Sequence, residues 1–187
     1  MKKILLPFAV SLMIVSAVIG LAVGYFLTPE YRLGMYDKNI MTLGQADRWI
    51  DQRYLNAMIA HHRGAMLLAE QAKKESQRPE IQELSAKILA DEPGAIAELY
   101  TWKKAWYNDS RPVKDPARIN LGSAGDTFDL RFLNALIAHH EAGLLMTKEI
   151  KLKSNRPEVL DNANAVDTFL TTTLKIFKDW RSDWYKL

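Results

Sequence analysis

The sequence predicts an all-α protein: an antiparallel four-helix bundle built from two duplicated helical hairpins, with one N-terminal transmembrane helix ahead of it. Three observations predict this. Residues 4–27 (ILLPFAVSLMIVSAVIGLAVGYFL) contain no charged side chain. The remainder repeats itself: a shift of 78 residues aligns 51–107 with 129–185 without a gap, and 18 of the 57 aligned positions are identical. Within both copies apolar residues recur at helical spacing, with little of the strict alternation that marks strands.

Composition bounds the possibilities. The chain has 187 residues, 48% of them hydrophobic, and five Trp, enough to fill a core, which argues against disorder. Its net charge of +3 shrinks to about +1 once Lys2 and Lys3 are set aside. No cluster of Lys and Arg interleaved with aromatics occurs, so nucleic acid is not an implied partner. Cysteine is absent, which excludes disulfides, zinc–thiolate sites and thiol catalysis.

Taken in order, the apolar run comes first. At ~1.5 Å per helical residue it spans ~36 Å, against ~30 Å for a bilayer core. Pro7 falls in the first turn, where proline is tolerated, and Tyr25 and Phe26 fall where an interfacial aromatic belt belongs. A cleaved signal peptide is the rival reading, with Ala22-Val23-Gly24 as a weak cleavage site, but the run is too long and continues past it. Residues 1–30 are therefore read as a retained anchor meeting the lipid bilayer through 4–27. Lys2-Lys3 place the N-terminus in the cytoplasm and the rest outside it. Residues 31–46 read as a connector, because Gly34 and Gly44 (with Pro29 just before) argue against a continuous helix.

The bundle is expected over 47–187, with repeat one at 47–107, a linker at 108–124 and repeat two at 125–187. A first helix is predicted from about Asp47 to Lys74. Pro79 suits the first position of a second helix ending near Tyr107, and Pro93-Gly94 predicts a kink or break near Asp91. Unit two has the same plan, with Ser123 or Asp126 as N-cap candidates and Pro157 opening its second helix. Arg78 and Arg156 are candidates to pair with Asp51 or Asp129. The closing Trp102, Trp106, Tyr107 and Trp180, Trp184, Tyr185 read as aromatic caps on the bundle ends.

All four histidines lie in the repeated stretches DQRYLNAMIAHHRGAM (51–66) and DLRFLNALIAHHEAGL (129–144). On a helical wheel His62 and His140 fall at the centre of the apolar stripe, and His61 and His139 about 100° away at its edge. Met58, His62 and Met66 form an i, i+4, i+8 ladder of thioether, imidazole and thioether, donors that suit Cu(I) or Ag(I). Met58 and Met66 are ~12 Å apart along one helix, so a Met–His pair completed from another helix is the workable geometry. The plainer alternative makes these residues core histidines and core methionines. No Glu-x-x-His, His-Glu-x-x-His, phosphate-binding Gly-rich loop or Gly-x-Ser-x-Gly motif occurs, so no enzyme activity is expected.

The paired LNA-hydrophobic-IAHH motifs, each followed by Arg-Pro-Glu and a closing Trp, resemble the bacterial domain of unknown function 305 family. The resemblance covers about residues 45–187. It implies a ferritin-like bundle, a periplasmic location beyond the inner membrane, and copper or silver binding through Met and His. The implied metal ligands are Met58, His61, His62, Met66, His139 and His140. Departures are equally clear. Family ligand positions on the second helix of unit one hold Glu92, Ala95 and Leu99. Unit two has Leu136 and Leu144 for the methionines, and Leu170, Thr173 and Phe177 on its second helix. Two functions follow from different classes. One is a membrane-anchored extracytoplasmic Cu(I)/Ag(I) protein of sequestration or homeostasis type. The other is a non-metal structural or accessory subunit of a membrane complex, or a homo-oligomer, using the bundle for interaction.

Overall fold

A computed structural model describes residues 42–187 of the chain, and within them the architecture is helical with no strand. The four helices are α1 (Ile50–Glu75), α2 (Pro79–Tyr107), α3 (Phe128–Lys151) and α4 (Pro157–Tyr185). The expected anchor and most of the connector lie outside the described residues. Among the described residues no helix is long and apolar enough to cross a membrane.

Both second helices open at proline, as expected. Of the kink or break expected near Asp91 the break is excluded, and the N-cap expected for α3 is corrected. α2 runs unbroken through Pro93, which is exposed, so the hydrogen bond it removes lies on the solvent side of the helix. The N-cap of α3 is Thr127, and neither Ser123 nor Asp126 holds that place. The reason is a folded segment ahead of each first helix. Arg131 donates to the carbonyls of Leu121 and Ser123 at 2.5 and 2.8 Å, and Arg53 donates to those of Leu43 and Gln45 at 2.5 and 2.6 Å. Gly122 and Gly44 turn the chain beneath these arginines with φ of +77° and +75°. Leu43 and Leu121 are both buried, so the matching contacts begin upstream of the aligned aspartates.

α1 packs on α2, α3 packs on α4, and α1 packs on α3; these are the extensive contacts. The two first helices are thus the spine, and each carries its hairpin partner on its flank. Two apolar cores result. One joins Tyr54, Leu55 and Met58 of α1 to Leu99, Met146, Ile150 and Val159. The other joins Phe132, Leu133 and Leu136 of α3 to Phe177, Leu68, Ala72 and Ile81. Position by position these sets differ by the 78-residue shift, so one hairpin's packing is repeated by the other. Burying a Leu, Ile or Phe contributes ~1.5–3 kcal/mol each, making these clusters the main source of stability.

At each bundle end an arginine from one hairpin is held by the other. Arg156 Nε lies 3.3 Å from Asp51 Oδ2, Ser154 Oγ donates to Asp51 Oδ1 at 2.6 Å, and the Arg156 guanidinium lies 4.1 Å from the Trp106 ring centroid. The mirror set is Arg78 with Asp129 at 3.4 Å and over Trp184 at 4.0 Å. Trp106 stacks on Trp102 and Trp184 on Trp180, with centroids 5.3 and 5.1 Å apart. The anticipated Arg–Asp pairs therefore form, and both run between hairpins.

The 20 residues from Asn108 to Thr127 cross from one hairpin to the other along α1. Asn108 leaves α2 in the left-handed region (φ 48°), which Asn tolerates better than most residues. Gln71 of α1 clips the crossover, donating to the Ile119 carbonyl at 2.8 Å and accepting from the Leu121 amide at 3.0 Å. Lys103, almost fully buried, donates to the Arg111 carbonyl at 2.7 Å and stands 3.6 Å from Asp109.

Arg156→Ala removes an ion pair and a cation–π contact and leaves the half-buried Asp51 carboxylate with one fewer donor. It is expected to lower unfolding free energy by about 1–3 kcal/mol in urea denaturation, with Arg156→Lys recovering only part of the loss.

Candidate functional site

Where the two cores meet, α1 and α3 bring their His-His pairs together. His61 and His139 stack face to face, with ring centroids 3.8 Å apart and planes inclined by 22°. His62 and His140 flank the stack, with centroids 6.2 Å from His61 and 5.9 Å from His139 respectively. All four rings line one cavity of about 230 Å³ in mid-bundle, walled by Leu84, Ile88 and Glu92 of α2 and by Phe169, Leu170 and Phe177 of α4.

This corrects the wheel. His61 and His139, expected at the stripe's edge, sit on the contact between the hairpins and are 9% and 2% exposed. A spine helix has two packing faces, so its inward arc is wider than a single stripe. On α1 the 62 position faces α2 and the 61 position faces α3. His140 is buried as expected, at 5% exposure. His62 is only half-buried, and its Nδ1 hydrogen-bonds the Glu92 carboxylate across to α2.

The stack depends on a missing side chain. His61 Nε2 lies 3.2 Å from the His139 carbonyl oxygen, to which it donates. Gly143, one turn further along α3, opens the way to that carbonyl. A Cβ at 143 would stand 2.6 Å from His61 Nε2 and 2.6 Å from Leu170 Cδ1. A side chain there would force His61 or Leu170 to shift, although the aligned position in unit one is Ala65.

Burial governs the electrostatics. Loss of solvation, reinforced by neighbouring His62, pulls His61 down to about 3. Desolvation likewise holds His139 well below the ordinary histidine value. It lowers His140 to about 4, against a small opposing pull from the Leu136 carbonyl. All three imidazoles are therefore neutral at pH 7, the state in which a ring nitrogen can ligate a metal. His140 has a further peculiarity. The Leu136 carbonyl lies nearby, but neither ring nitrogen makes a hydrogen bond of acceptable geometry, and the ring rests edge-on against Phe177 at 4.8 Å. A buried donor or acceptor left unmade costs about 1–3 kcal/mol.

The methionines stand apart. Met58 is fully buried in the core with Leu99 and Met146, at the position that Leu136 occupies in the other copy. Met66 is half-buried on α1, and neither thioether lines the cavity. The structure thus assembles His61, His62, His139 and His140 and leaves Met58 and Met66 outside their cavity. Among the described residues no three His, Asp or Glu side chains converge as a ready-made cation site. Sequence reasoning placed Glu92 on the second helix but not against His62, because that meeting depends on how α2 is rotated on α1.

A duplicated helical hairpin closing over a buried cluster of histidines defines this as a four-helix bundle of the histidine-lined kind. The chain belongs to the family described as Domain of unknown function (DUF305), whose pattern matches residues 51–120. It is similar to solved structures of CopM. The form described as Ag-bound by soaking is 30% identical with a TM-score of 0.63, covering 74% of this chain and 99% of CopM. The Cu(I)-bound form is 29% identical with a TM-score of 0.64 over 74% and 99%. The apo form is 30% identical with a TM-score of 0.64 over 72% and 98%. No curated protein matches the chain.

Two outcomes are expected in the metal-free protein. Because folding depresses three histidines, their neutral forms are favoured in the fold. That stability is present above pH ~6.5 and is lost as pH falls toward the folded values, at up to about 4 kcal/mol per pH unit for three groups. Chemical denaturation between pH 7 and pH 4 measures it, and His140→Leu should reduce the slope by about one proton. Gly143→Ala should cost about 1–3 kcal/mol through overpacking against His61 and Leu170, read as a fall in the urea midpoint at unchanged slope.

Proposed function

We propose that this chain is a membrane-anchored, extracytoplasmic metal-binding protein that sequesters or hands over Cu(I) or Ag(I) and has no enzymatic activity. Residues 4–27 hold it in the inner membrane with the N-terminus cytoplasmic and the bundle on the periplasmic side. The observation that carries the metal reading is His140, a buried neutral imidazole facing a cavity shared with three other histidines and lacking a good hydrogen bond. A bundle that needed only packing there gains from an apolar residue, so the imidazole points to a ligand. CopM, to which the chain is similar, has been solved in Ag-bound and Cu(I)-bound forms.

The donor set fits in one half and not in the other. Neutral imidazoles around a cavity suit Cu(I) and Ag(I), which accept two or three ligands. His62 reaches the same cavity with Glu92 as its partner. The thioethers do not fit, since Met58 and Met66 lie outside the cavity. The residues that would hold the ion are His61, His62, His139 and His140, which share the cavity and would supply imidazole nitrogens to it.

Competition between a Cu(I) chelator and the full-length protein in detergent tests this. Binding tighter than about 1 µM is expected, weakened at least ~10-fold by His140→Leu and unaffected by Met58→Leu. His140→Leu should at the same time stabilise the metal-free fold by about 1 kcal/mol. Binding weaker than micromolar overturns the metal reading. The second reading, a non-metal accessory subunit of a membrane complex, draws support from the departures at the family's ligand positions, where Leu136 and Leu144 replace methionine. Stoichiometric co-purification of a membrane protein with a chain that binds no Cu(I) would carry it instead.

A further inference from the structure

The hairpins repeat each other, so a surface feature present at one bundle end and missing from the matching place at the other is not demanded by the fold. One such feature is large. At the end where residue 42 enters, Trp49 is 41% exposed and Leu152, in the α3–α4 turn, is 80% exposed. The same end carries Arg48, whose guanidinium lies 4.7 Å from the Trp49 ring, and Arg111, whose side chain is 83% exposed while paired with Asp109 at 2.8 Å. Trp49 leans on Tyr107 with centroids 5.9 Å apart. Leu43 and Glu149, joined by a 3.1 Å hydrogen bond, tie the entering chain to the α3–α4 turn, so these residues share one end of the bundle. At the far end the 78-residue shift brings Thr127 to the place of Trp49, Lys74 to that of Leu152 and Asp126 to that of Arg48, all exposed. Leu187 is the exposed large apolar residue there.

Aromatic rings, an exposed leucine and unburied arginines are the side chains that stabilise contact with a bilayer interface, the arginines through anionic headgroups. They occur where the sequence leads back to an uncharged apolar run ending at residue 27. The 15 residues from 28 to 42 reach at most about 50 Å when extended, so the tether permits contact without enforcing it. The surface supplies the preference.

We infer that the Trp49–Leu152 end of the bundle rests on the anionic bilayer surface, which presents the histidine cavity side-on and leaves the Lys74–Asp126 end facing away. The inference rests on the anchor reading above. The absence of cysteine makes it directly measurable. Full-length Leu152→Cys and Lys74→Cys variants, each carrying a nitroxide, are placed in phosphatidylethanolamine–phosphatidylglycerol vesicles, and collision with oxygen and with a water-soluble nickel complex is read by power-saturation EPR. Both substitutions sit on exposed positions and leave the core untouched. The label at 152 should show nickel accessibility at least about three-fold below that at 74, with higher oxygen accessibility. Equal nickel access at the two positions overturns the inference while leaving the anchor intact, provided the chain floats with the vesicles. Shielding at 152 from both nickel and oxygen marks a protein partner and overturns it too. A chain that does not float overturns the anchor and the inference together.

Discussion

Two imidazole rings lying 3.8 Å apart, His61 against His139, bring equivalent residues of the two hairpins face to face. Everything else in the bundle is arranged around that contact. The apolar clusters lie on either side of it, and the Arg–Asp–Trp clamps close the two ends beyond them. A polar pair at the centre of an otherwise apolar spine is costly unless its groups are neutral and partnered. Burial keeps His61 neutral and the His139 carbonyl accepts its N–H, for which Gly143 must stay bare. The centre of the fold and the centre of the candidate site are the same few atoms.

The hairpin plan was legible because its signals are local. Pro79 and Pro157 mark helix starts, the aromatic triplets mark helix ends, and the 78-residue shift makes each copy vouch for the other. The Arg–Asp pairs were within reach for the same reason. What escaped was rotation. Whether His61 or His62 faces the symmetry contact depends on how many neighbours α1 has, and a one-stripe wheel supplies only one. The same omission hid the meeting of His62 with Glu92. It also left Met58 open between a ligand ladder with His62 and the core, where its side chain packs with Leu99 and Met146. At Pro93 the sequence left a kink and a break open; proline removes one hydrogen bond, and an exposed helix face absorbs that loss without a break.

The duplicated halves have diverged unevenly. Positions that carry the fold (Asp51 and Asp129, Arg78 and Arg156, the paired tryptophans) are the same in both copies. Apart from the histidines, positions lining the cavity are not: Glu92 on one side answers to Leu170 on the other, and Ala65 to Gly143. The cavity is therefore lopsided inside a nearly symmetric frame, polar beside His62 and aromatic beside His140. A ligand in it would meet two chemically different walls.

The clamps have a consequence for how the chain assembles. Arg78 belongs to the first hairpin and finds its aspartate and its tryptophan on the second, and Arg156 does the reverse. A hairpin therefore meets identical partners whether its complement comes from its own chain or from a neighbour's. The contacts themselves do not distinguish a monomer from a pair of molecules that have exchanged halves. The choice falls to the 20-residue crossover, pinned along α1 by Gln71, which keeps the correct complement at high effective concentration. Shortening that segment, or releasing its glutamine clip, removes what favours the complement from the same chain while every clamp and both cores remain as they are.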